Sequence, residues 1–113
     1  MAYIIEAMSP EARNDVVYQA IAHHTRRQIL DLLRTGPQPA TEIAGRFSIS
    51  QPAVSQQLKV LLDASLVKAK WAGRQRIYRI NTARLRPVER WVSRAVAGPS
   101  GHVLVFRQAK KGV

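Results

Sequence analysis

Apolar residues recur at helical spacing through the first part of the chain, switch to strict alternation, and then return to helical spacing. Between Glu11 and Ala22, the residues Val16, Val17, Ala20 and Ile21 form one apolar stripe, which predicts a first helix. A break at His23-His24-Thr25 leads into a second helix reaching about Thr35, with Ile29, Leu30, Leu32 and Leu33 facing a core. Gly36-Pro37 ends it. A short third helix is expected from Ala40 to Phe47, burying Ile43, Ala44 and Phe47, with Glu42 near the positive end of its dipole. Its cap reads as weak, since Gln38 and Pro39 stand where Ser or Thr is preferred.

The fourth element is the most legible. Ser50 is a good N-cap, and Gln51-Pro52 places proline in a first turn, where its missing amide costs nothing. Val54, Leu58 and Leu61 then recur at i, i+4 and i+7, with Leu62 beside them, to about Ala64. Off that stripe lie Gln51, Ser55, Gln56 and Lys59, with no acid among them. From Leu66 the period falls to two. Val67, Ala69 and Trp71 alternate with Lys68 and Lys70, Ala72-Gly73-Arg74-Gln75 makes a turn, and Arg76-Ile77-Tyr78-Arg79-Ile80 alternates again. That is a β-hairpin with a basic tip. A last helix follows Asn81 and covers Pro87 to Ala97, with Leu85, Val88, Trp91, Val92 and Ala95 on one side. Gly98-Pro99 closes it. The predicted architecture is mainly α with a hairpin wing, residues 1–97 forming one domain and 98–113 a tail in which Val103–Phe106 has strand character.

Charge sharpens this picture because it is uneven. Residues 1–63 hold six basic and six acidic side chains, whereas residues 64–113 hold twelve basic ones against Glu89 alone, which accounts for the whole net charge of +11. A polyanion or an anionic membrane facing the second half is the reading this asymmetry favours, against a basic surface that serves solubility alone. The absence of cysteine removes disulfides, thiolate chemistry and cysteine-based metal sites. No Gly-rich phosphate loop, nucleophile-and-base pair or paired carboxylate stands out, so an enzyme is not expected, and no cofactor is. The three histidines are His23, His24 and His102, and the adjacent pair reads as cap and surface rather than metal ligands. No apolar run is long enough for a membrane span, and the cytoplasm is the expected compartment.

Three helices, a tight turn between the third and fourth, and a two-stranded hairpin follow the winged helix-turn-helix order. Such a fourth helix fits a DNA major groove, where each base pair shows a distinct donor and acceptor pattern. Only its outward face is free to read, because Val54, Leu58 and Leu61 hold it to the core. The amides of Gln51 and Gln56 pair with adenine edges or reach phosphate, Ser55 lets the backbone approach, and Lys59 suits phosphate. Ser50 marks a helix amino terminus, which attracts phosphate. Arg74 and Arg76 flank the wing tip, where phosphate or the minor groove is within reach. Taken singly, each of these residues is ordinary solvated surface; their order along one fold gives them a role. The apolar stripes exceed what so small a core covers, which predicts a homodimer built from Val17, Ala20 and Ile21 of the first helix and Leu85, Val88, Trp91, Val92 and Ala95 of the last.

The strings AIAHHTRRQILDLL, ATEIAGRFSISQPAVSQQLKVLLDASLVKAKWAGRQRIYRIN and RPVERWV resemble the ArsR/SmtB-type bacterial regulators over roughly residues 16 to 96. The resemblance implies a homodimeric repressor of transcription, pairing through its first and last helices and reading a palindromic operator in double-stranded DNA. It places Gln51, Pro52, Ser55 and Gln56 at groove-facing positions and Arg74 and Arg76 in the wing. The chain departs from metal-responsive relatives. Gln38, Pro39, Ala40 and Thr41 stand where those carry cysteines, and Val88, Glu89, Arg90 and Trp91 where others carry Asp and His pairs. A member without the family's usual metal sites is therefore expected. His23-His24-Thr25-Arg26 replaces Asp-Pro-Thr-Arg, Gln57 replaces a histidine, and Ser65 a glycine. Control by a small ligand or a protein partner, or use as a protein-association module, remain the alternatives.

Overall fold

The computed structural model describes residues 5–99. The element order is a 3-10 turn at Ile5–Ala7, then α1 (Pro10–Ile21), α2 (His24–Leu33), β1 (Gln38–Pro39), α3 (Ala40–Gly45), α4 (Gln51–Asp63), β2 (Val67–Ala72), β3 (Gln75–Ile80), a 3-10 turn at Thr82–Leu85, and α5 (Arg86–Ala97). This is the expected winged helix-turn-helix order. Val103–Phe106 and most of the expected tail lie outside the described residues.

Local chemistry accounts for the element ends. Helix α1 starts one residue before the periodicity does, because Ser9 Oγ accepts the Ala12 amide at 3.1 Å and Pro10 occupies the first turn. Ser50 caps α4 in the same way, accepting from the Ala53 amide at 3.2 Å. Helix α3 stops at Gly45, short of Phe47, which instead closes a turn by donating to the Ala44 carbonyl at 3.3 Å. The hairpin is a three-stranded antiparallel sheet in the order β1-β3-β2. The two-residue β1 pairs Gln38 with Tyr78 and Pro39 with Ile77. Register pairs from Val67↔Ile80 to Ala72↔Gln75 leave Gly73-Arg74 as the turn, with Gly73 at φ 64°. Positive φ at the first central residue alone matches the hairpin turn that wants glycine there.

One apolar core joins the helices to the base of the sheet. Ile29, Leu33, Ile43, Val54, Leu58, Leu61, Leu66, Val67 and Tyr78 are buried in it. The hairpin is fastened at its base by Asn81, whose amide donates to the Leu66 carbonyl at 2.8 Å and whose Nδ2 donates to the Ser65 carbonyl at 2.8 Å.

Ser65 also ends α4. Its amide donates to Leu62 O at 2.9 Å and the Leu66 amide to Leu61 O at 3.0 Å, the paired bonds of a Schellman motif. That motif needs a left-handed residue, and Ser65 supplies it at φ 59°, the single positive φ among described non-glycine residues. A side chain there costs about 1–2 kcal/mol, partly offset by the larger chain entropy glycine loses on folding. Ser65→Gly is therefore expected to stabilise the protein by about 0.5–1 kcal/mol, whereas Ser65→Ala gives no gain. Urea unfolding of the two variants checks this; a destabilised glycine variant contradicts it.

Candidate nucleic-acid interface

Helix α4 has two faces with separate work. Val54, Leu58 and Leu61 are buried against α2 and α3. Gln51, Pro52, Ser55, Gln56 and Lys59 are all exposed, at positions i, i+1, i+4, i+5 and i+8, and so line one outer stripe. The inner face fixes the outer one, because the helix cannot rotate without exposing its leucines. Lys59 Nζ also lies 3.0 Å from Asp63 Oδ2, one turn along, which holds its ammonium near the carboxyl end of the helix. The amino-terminal end, at the exposed cap Ser50, is free of acids.

The wing stands beside this helix, with β2 packed on α4. Arg74 occupies the exposed turn. Arg76 pairs across the hairpin with Trp71, and its guanidinium carbon lies 5.9 Å from the Trp71 ring centroid and 5.5 Å from that of Tyr78. It is folded back over two aromatic faces, an arrangement that orients it, while Arg74 reaches outward. The site residues inferred from sequence omit the other face of the wing. Lys68 and Arg79 sit directly opposite each other, and Lys70 lies two residues on. All three are exposed. Like charges in register weaken a sheet, so this face suits an anion. The same alternation that revealed the strands placed them together. Trp71, 67% exposed, is a further wing residue missed from sequence.

Behind α4 lies a polar junction that periodicity does not show. Arg26, the first buried side chain of α2, donates from Nε to the Ala20 carbonyl at 2.6 Å and from Nη2 to the Gln19 carbonyl at 3.1 Å. From Nη1 it donates to Gln57 Oε1 at 2.9 Å. It thus satisfies the Ala20 carbonyl at the end of α1, adds a second donor to the Gln19 carbonyl that also accepts the Ala22 amide, and bonds the last turn of α1 to the neighbour of Gln56. Arg27 adds a bond to the Ile21 carbonyl at 2.8 Å.

The residues expected at a dimer interface fall into three groups. Val17 and Ala20 are buried within the single chain, so their surface already belongs to its own core. Ile21, Leu85 and Val88 are half-buried against that core. Trp91, Val92 and Ala95 face outward on α5, together with Val96, which the sequence reading omitted. Trp91 is 54%, Val92 43% and Val96 53% exposed, and α5 buries no residue at all. The Trp91 ring meets Tyr18 of α1 edge-on, centroids 6.3 Å apart.

Among the described residues no three His, Asp or Glu side chains gather in a way that could hold a metal ion, and no helix is long and apolar enough to cross a membrane.

Comparison with known proteins agrees with this arrangement. The family of bacterial regulatory proteins described as arsR matches residues 23–69, from the α2 cap to the middle of β2. The chain is 39% identical to the HTH-type transcriptional regulator Rv2034 of Mycobacterium tuberculosis, over 80% of this chain and 89% of that protein. It is 38% identical to the transcriptional repressor SdpR of Bacillus subtilis, over 67% of this chain and 84% of the relative. Its fold resembles the solution structure of a homodimeric winged helix-turn-helix DNA-binding domain from Mycobacterium bovis, with a TM-score of 0.63 and 30% identity over 76% of this chain and 87% of that one. By its fold, its sequence and these relatives, the chain belongs to the arsR family of bacterial regulatory proteins.

Proposed function

We propose that this chain is a homodimeric repressor of transcription that reads a palindromic site in double-stranded DNA. The observation that carries this reading is the exposed stripe of α4. It is polar, acid-free apart from the partner of Lys59, locked in orientation by its buried face, and flanked by a basic wing. Gln51, Ser55 and Gln56 face base edges. Arg74, Lys59 and the capped helix end at Ser50 take phosphate, and Pro52 fixes the first turn. Arg76, stacked on Trp71 and Tyr78, supports the wing and presents its charge to the adjacent groove.

The partner copy is expected to cover the outer face of α5. A helix this exposed on its apolar side is a common mark of an interface, and a two-fold axis places two reading helices about 34 Å apart. Trp91 is the central anchor. Trp91→Ala is expected to weaken the dimer by about 2 kcal/mol or more, roughly thirtyfold in dissociation constant. Sedimentation equilibrium measures this directly. A wild-type protein that is monomeric at micromolar concentration removes the dimer from the account.

The roles of helix and wing are separable by salt. Loss of a phosphate contact weakens all duplexes alike and lowers the slope of log K against log salt by about one unit per contact. Loss of a base contact removes on the order of 1–3 kcal/mol of discrimination. Arg74→Ala is accordingly expected to weaken operator and scrambled DNA by similar factors with a flatter slope. Gln56→Ala weakens the operator selectively with the slope kept. Titration of both variants at three salt concentrations decides the matter, and the reverse assignment of the two signatures overturns it.

A further inference from the structure

The sheet has two faces, and only one of them belongs to the core. Val67 and Tyr78 are buried on the inner face, which also carries Ala69, Trp71 and Arg76. Alternation puts Lys68, Lys70, Ile77 and Arg79 on the outer face, turned away from the helices. Lys68 and Arg79 are cross-strand partners, and Lys70 follows two residues along β2, about 7 Å further on. All three cations are exposed, and among the described residues no ion pair reaches any of them. The chain holds no acid from Ala64 to Val88, so nothing on the hairpin itself offsets them.

Lysine on an edge strand is an ordinary guard against edge-to-edge pairing, which accounts for Lys68 and Lys70 on β2. It does not account for Arg79, because β3 is the middle strand of the order β1-β3-β2. Like charges directly opposite each other destabilise a sheet, and an anion from outside relieves that cost. The depression that Pro37 and Ile77 share with the three cations measures only ≈ 140 Å³, well below the roughly 300 Å³ of the smallest ligand pockets. The anion that suits it is a group carried on a larger surface, not an enclosed small molecule.

We propose that the outer face of the wing binds the phosphate backbone of the duplex flanking each half-site, on the far side of the wing from α4. This rests on the proposed function, which sets Arg74 at the wing tip against the same duplex. One strand carries a phosphate for every ~3.4 Å of duplex axis, so the roughly 7 Å between Lys68 and Lys70 spans on the order of two phosphates. Continuity favours DNA over an acidic protein surface, since Lys70 and Arg74 lie on one hairpin, either side of its last β2 residues. Phosphate contacts carry no sequence information. The outer face therefore makes affinity depend on the length of the duplex, while α4 makes it depend on sequence.

The test compares two operator duplexes by fluorescence anisotropy with the full chain. The short one ends at the outer edges of the half-sites, and the long one adds about one turn of scrambled sequence, roughly 10 base pairs, at each end. The long duplex is expected to bind about tenfold tighter or more at low salt, with a salt slope steeper by roughly two units per subunit. Lys68→Gln/Lys70→Gln/Arg79→Gln is expected to abolish that ratio and the extra slope. Arg74→Ala weakens both duplexes and keeps the ratio. The triple variant is also expected to unfold at a Tm no lower than the wild type, since the opposed charges are gone. A long-to-short ratio near one in the wild type, or a ratio retained in the triple variant, overturns the proposal and leaves the operator reading intact. The same gain from scrambled duplex supplied unlinked points to a second DNA molecule and overturns it too, as does a triple variant of lower Tm, whose charges then serve the fold. Failure of the short duplex to bind in preference to scrambled DNA overturns the operator reading, and this inference with it.

Discussion

Three elements meet at one guanidinium. Arg26 leaves α2, donates to the Ala20 and Gln19 carbonyls at the end of α1, and reaches Gln57 on the far side of the same helix that presents Gln51, Ser55 and Gln56 outward. A buried arginine is held by geometry as well as charge, since its donors form a rigid fork. Moving α1 relative to α4 therefore means breaking bonds inside a low-dielectric site, where an abandoned donor is expensive. Through Tyr18 and Trp91, α1 also touches α5. The exposed apolar face of α5 and the exposed polar stripe of α4 are thereby joined, by one aromatic contact and one hydrogen-bonded junction.

The remaining architecture separates holding from reading. On α4, Val54, Leu58 and Leu61 hold, and the opposite stripe is free. On the wing, Val67, Tyr78 and the half-buried Ile80 anchor the base of the hairpin, and the basic residues project above and beside it. The charge asymmetry of the sequence has a structural meaning here. Lys68, Lys70, Arg74, Arg76 and Arg79 all lie on one short hairpin, so a large part of the excess positive charge is concentrated on the element beside the reading helix. Such a concentration steers a polyanion toward the site and gives binding a steep salt dependence.

Much of this was legible in the chain. The period-3.6 stripe of α4, its Ser50 cap with Pro52, and the period-2 hairpin around Gly73 are local signals, and local signals specify local structure. What escaped was non-local or short. The strand β1 spans only Gln38–Pro39 and exists because Tyr78 and Ile77 offer an edge; two residues carry no periodicity. Val17 and Ala20 read as interface residues because an apolar stripe does not reveal whether its partner lies in the same chain, and here the core claims them. Nothing in the local pattern marks Arg26 for burial, and its bond to Gln57 crosses 31 positions. The Ser9-Pro10 start of α1 was readable from the same cap-and-proline logic as Ser50-Gln51-Pro52. The separation of the α5 face into inward Leu85 and Val88 and outward Trp91, Val92 and Val96 needs the helix docked.

In the proposed assembly, two copies of α4, fixed by their own cores and paired through α5, read one symmetric duplex. Selection of bound duplexes from a random pool measures this most directly. The result expected is an inverted repeat whose half-site centres lie about one helical turn apart, roughly 10 base pairs. Enrichment of a single unrepeated half-site, or of no sequence at all beyond general affinity for duplex, contradicts it.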